Sequence, residues 1–72
     1  MVNLDRLSIF PDDAEVTPED MVSAGIVKGL TKPIKVLGNG ELTHRMVVKA
    51  HKFSQAAKNK IELAGGKAEV IA

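Results

Sequence analysis

Few side chains in this chain of 72 residues could do chemistry: two histidines (His44 and His51), the serine Ser54, a scatter of carboxylates, and ten lysines and arginines. Nucleophilic catalysis needs a hydroxyl or thiol beside an ordered base. The chain has no cysteine, and Ser54 stands where a helix N-cap belongs rather than in a nucleophile turn. A zinc site needs three or four close ligands. His44 and His51 lack a third ligand of the usual kind, and the carboxylates show no ligand spacing. Gly38-Asn39-Gly40 has neither the helix start nor the spacing of a phosphate-cradling loop. Asp12 and Asp13 follow Pro11 and belong to a turn. The expectation is a protein with no catalytic residues, no metal, no other cofactor and no small-molecule substrate.

The basic residues remain. Lys35, Arg45, Lys49 and Lys52 fall on or beside strand-like segments, and Lys58 and Lys60 on a helical one. Gathered on one surface they would neutralise phosphates and bind nucleic acid without reading its sequence. His51 shares a strand face with Lys49, so it sits either beside such a phosphate or base, or on the surface with no role. Two aromatics, Phe10 and Phe53, are too few for a base-stacking platform, so recognition of RNA by shape and charge fits better. Lysines at strand edges also discourage aggregation, and that reading stays open here.

The net charge of +1 conceals a split. Residues 1–27 carry a net charge of −5, and residues 28–72 carry +6. The asymmetry points to a basic face for an anionic partner. The alternative is that the two halves neutralise each other on folding.

The chain is long enough for one small domain whose stability is marginal, since a domain of about 60 residues buries only about 60% of its unfolded surface. No apolar run approaches the ~20 residues of a membrane span. The segment MVNLDRLSIF lacks the basic start of a signal peptide. The absence of cysteine suits a reducing compartment.

The positioning elements follow from local signals. Val2–Leu4 reads as a short edge strand. Thr17, Pro18 and Asp20 announce a helix, with Val16 and Met21 at the two positions of a hydrophobic staple and Gly25 as its stop. Residues 34–37 read as a strand, Gly38-Asn39-Gly40 as a turn, and residues 45–51 as a strand with Met46, Val48 and Ala50 on one face. Ser54 caps a second helix whose buried stripe is Ala57, Ile61 and Ala64 and whose stop is Gly65, and residues 68–71 form a last strand. The order is strand, helix, strand, strand, helix, strand. Two helices with short strands predict a small two-layer α/β domain.

Two segments are specific enough to suggest a family. Lys35-Val36-Leu37-Gly38-Asn39-Gly40-Glu41-Leu42 and Val48-Lys49-Ala50-His51-Lys52-Phe53-Ser54, followed by Ala57, Ile61 and Gly65, closely resemble the C-terminal signature of the bacterial large-subunit ribosomal protein fifteen family. Val2-Asn3-Leu4, Val16-Thr17-Pro18-Glu19-Asp20 and the stretch Ile26 to Leu30 resemble that family's middle segment, so the likeness covers nearly the whole chain. It implies a fold of irregular strand-strand-helix units. It further implies a structural constituent of the large ribosomal subunit in the cytoplasm, with large-subunit rRNA and neighbouring ribosomal proteins as partners and with no membrane. On this reading Lys35, Arg45, Lys49, His51, Lys52, Lys58 and Lys60 face the RNA. The family carries a basic N-terminal extension, and residues 1–72 read as its single globular C-terminal domain with that extension absent. Weaker RNA binding than that of a complete member is the corresponding expectation. The alternative function is a protein-protein interaction module, whose acidic first third from Asp12 to Asp20 would contact basic ribosomal neighbours.

Overall fold

Thr17 starts the first helix through a reciprocal cap. Its hydroxyl accepts the Asp20 N–H at 3.2 Å, and the Asp20 carboxylate accepts the Thr17 N–H at 3.0 Å. Pro18 opens helix α1 (Pro18–Ser23), where its missing N–H costs nothing. Val16 and Met21, the staple positions, are both fully buried. Gly25 then turns at φ +77, with its N–H donated to Val22 and that of Ile26 to Met21. Those two bonds make a Schellman stop.

Helix α2 (Gln55–Leu63) is built on the same plan. The Ser54 hydroxyl accepts the Ala57 N–H at 3.1 Å. Gly65 turns at φ +89, and Gly65 and Gly66 donate back to Glu62 and Ile61. Ala57 and Ile61 are fully buried and Ala64 is half-buried, as the predicted stripe requires.

The computed structural model describes residues 1–71. Its strands are β1 (Val2–Asn3), β2 (Ala14–Val16), β3 (Lys35–Leu37), β4 (Met46–Ala50), β5 (Lys52–Phe53) and β6 (Lys67–Val70). They form two three-stranded sheets, β1-β3-β5 and β2-β4-β6, and every pairing is parallel. The chain visits the two sheets alternately, so it makes three circuits of strand, connection and strand. Helix α1 joins the first circuit to the second, and α2 lies within the third. This is an α/β domain of strand-strand-helix units. Inward residues of both sheets (Val2, Val36, Val16, Met46 and Val48) meet Met21 and Ile61 of the helices in one core.

Three features differ from the sequence reading. Leu4, read as the end of the first strand, instead opens a 3-10 helix (Leu4–Ile9) that buries Leu4 and Leu7. Residues 14–16 form β2, a strand too short for its alternation to show. The strand read over residues 45–51 is present as Met46–Ala50, but a further strand, β5, follows it at once. The chain leaves the β4 sheet after Ala50, because the N–H groups of His51 and Lys52 both turn to the Ile34 carbonyl, at 3.0 and 3.1 Å. The chain then joins the other sheet as β5.

Candidate nucleic-acid interface

Alternation within strands decides which basic side chains reach the surface. On β3, Val36 faces the core, so Lys35 is exposed. On β5, Phe53 packs against the core and Lys52 is exposed. The register of the parallel pair sets Lys35 directly opposite Lys52. Like charges at opposed positions repel. Among the described residues neither lysine forms an ion pair. The result is a cationic pair with no internal counter-charge.

Ser54 links this pair to α2. Its hydroxyl also accepts the Gly38 N–H at 3.2 Å, which fastens the end of β3 to the start of the helix. Lys58 is half-buried one turn further along α2, without an ion pair among the described residues, on the same helix face as Ser54.

The other predicted contacts have internal partners. Arg45 Nε lies 2.6 Å from Asp13 Oδ1, and the Arg45 backbone N–H donates to Asp12. The side-chain hydrogen bond holds the Asp13 carboxyl below the usual carboxylate range and raises the Arg45 guanidinium above its own. Lys49 pairs with Glu15 at 3.3 Å and stands in register with Glu69. Lys60 Nζ donates to the carbonyls of Gly38 and Gly40, both at 2.8 Å, and lies 3.5 Å from Glu41. His51 accepts the Ile34 N–H at Nδ1, 3.0 Å away, which ties the end of β4 to the start of β3. Parallel pairing of β2 with β4 therefore brings acids of the first third onto two of these cations and neutralises part of the charge split. Sequence spacing held no sign of these partners, since they lie more than thirty residues away along the chain.

His44 is structural too. Nε2 donates to the Phe10 carbonyl, and Nδ1 lies 3.1 Å from the Thr43 hydroxyl. Among the described residues no three His, Cys, Asp or Glu side chains cluster as a metal site would require. No helix among them is long and apolar enough to cross a membrane.

A family model that describes ribosomal proteins 50S-L15 and 50S-L18e, together with a 60S counterpart, matches residues 1–69. The chain belongs to this family. It is a structural ribosomal protein of the large subunit. The match runs through all six strands and both helices, to within one residue of the end of β6.

Proposed function

We propose that this domain binds large-subunit rRNA through the face built on Lys35 and Lys52, and that it holds folded rRNA segments together during assembly and in the finished particle. The observation that carries the reading is the in-register lysine pair. Two uncompensated cations on neighbouring strands cost stability in the free protein and gain it back only when an anion arrives. Phosphates of an RNA backbone would supply that anion, and contacts of this kind position a duplex without reading bases. Lys58 extends the face along α2. Arg45, Lys49, His51 and Lys60 contribute at its margins, where a phosphate must compete with the partners they already hold. Lys35 and Lys52 should therefore dominate.

The test is an amide chemical-shift titration of the labelled chain with large-subunit rRNA fragments at two salt concentrations. Shifts centred on residues 35 and 52–58 that weaken with salt are expected. A folded spectrum that does not respond at low salt would exclude RNA binding by this domain.

A further inference from the structure

Two other cations lie outside that face, on the connection between α1 and β3. A cleft of about 390 Å³ opens there, with Lys28, Thr31 and Lys32 among its lining residues and Ile26, Val27 and Ile34 at its apolar side. Among the described residues no carboxylate lines it. Both lysines are exposed, and among the described residues neither forms an ion pair. The apolar side is anchored. Ile34 is only 3% exposed, and Ile26 and Val27 pack against the core. The N–H of Ile34 bonds to His51, and its carbonyl takes the N–H groups of His51 and Lys52. The cleft is thus tied to the strand that carries Lys52. Lys32 also precedes Lys35 by three residues, a reach of at most about 11 Å.

The volume falls in the range of sites for single small groups, not of a groove for a helix. A cationic rim over an apolar wall matches a nucleotide, with phosphate outside and base inside. Among the described residues no aromatic lines it, so the base would be held by apolar contact without stacking and without preference for sequence.

We propose that the cleft receives one unpaired nucleotide of the bound RNA, its phosphate on Lys28 and Lys32 and its base against Ile26, Val27 and Ile34. The inference rests on the rRNA-binding reading above and adds a preference for RNA with an extruded residue.

The experiment compares two RNA hairpins, one fully paired and one with a single bulged nucleotide. The chain should bind the bulged hairpin more tightly. A Lys28→Ala/Lys32→Ala double variant should bring it down to the level of the paired one and reduce its salt slope by about 0.7, for the one phosphate the two lysines share on unpaired RNA. Thr31→Glu, an exposed position, should do the same by placing a carboxylate in the cleft. A Lys35→Ala/Lys52→Ala double variant should weaken both hairpins alike. Equal affinity of the unchanged chain for both hairpins, or a bulge preference that survives Thr31→Glu, overturns the cleft assignment and leaves the lysine face intact. Failure of the unchanged chain to bind either hairpin at low salt overturns both.

Discussion

A Cβ placed on Gly66 would collide with the carbonyl oxygen of Met46 and stand 3.0 Å from its amide nitrogen. Met46 is fully buried and opens β4, so that backbone has nowhere to go. Gly66 is thus required by close approach of two backbones as β6 enters beside β4, beyond any need to turn. Its neighbour Gly65 has the opposite character. It needs a positive φ, and an added Cβ would meet nothing nearer than Arg45 Cδ at 3.4 Å. Gly66→Ala should cost about 3 kcal/mol or more through forced backbone displacement. Gly65→Ala should cost about 1 kcal/mol, the usual penalty of a left-handed residue with a side chain. Urea midpoints of the two variants check this, and equal losses would refute it.

Lys60 serves as a clamp between α2 and the turn after β3. Its ammonium donates to the carbonyls of Gly38 and Gly40 together. Lys60→Met keeps the apolar stem and removes both charged bonds. The expected loss is about 1.5–3 kcal/mol, the range for hydrogen bonds to charged groups. The Asp5 amide, which donates to Asn39 in the same turn at 3.2 Å, should then exchange faster with solvent. Unchanged stability and unchanged exchange at Asp5 would show that the clamp carries no weight.

What the sequence disclosed and what it hid follow one physical division. Both helices were readable because a cap, a staple and a glycine stop are local: Thr17 with Asp20, Ser54 with Ala57, Gly25 and Gly65. The faces of β3 and β4 were readable from alternation. The crossing at His51 was not, because it is made by the Ile34 carbonyl seventeen residues earlier. The same holds for the site. Exposure of Lys35 and Lys52 follows from alternation, but their opposition needs the register of two strands that share a sheet only after folding. The partners of Arg45 and Lys49 sit on β2 or just before it, in a segment whose three-residue strand gave no periodic signal.

The Asp13–Arg45 bond predicts a pH signature. Asp13 has a lowered carboxyl pKa in the folded chain because Arg45 donates to it. A group with a depressed folded pKa contributes stability above its unfolded pKa and loses it as pH falls through the folded one. The contribution is therefore intact at neutral pH and fades below the ordinary aspartate range near 3.8. Asp13→Asn suits the positive φ of 64 at this position and cannot titrate. Denaturation midpoints should fall less steeply with acid in Asp13→Asn than in the unchanged chain. Parallel acid profiles would show that the pair does not couple to folding. Both side chains are more than half exposed, so salt should also shrink the difference.

Opposed lysines make stability and binding move in opposite directions. Lys52→Glu would convert the repulsive pair with Lys35 into an attractive one at the same register position. Cross-strand charge pairs of this kind contribute about 0.2–1 kcal/mol, so the isolated domain should become slightly more stable. The same change removes one phosphate contact and places a carboxylate against the RNA. Affinity should fall, and the slope of log affinity against log salt should flatten by about one unit or more. A lysine kept merely to protect a strand edge predicts a different result, since glutamate there is equally charged and would leave RNA binding unchanged. Thermal unfolding and a salt series on the same variant separate the two. Higher stability together with weaker, less salt-sensitive binding identifies the pair as a site at which the free protein gives up stability for the RNA.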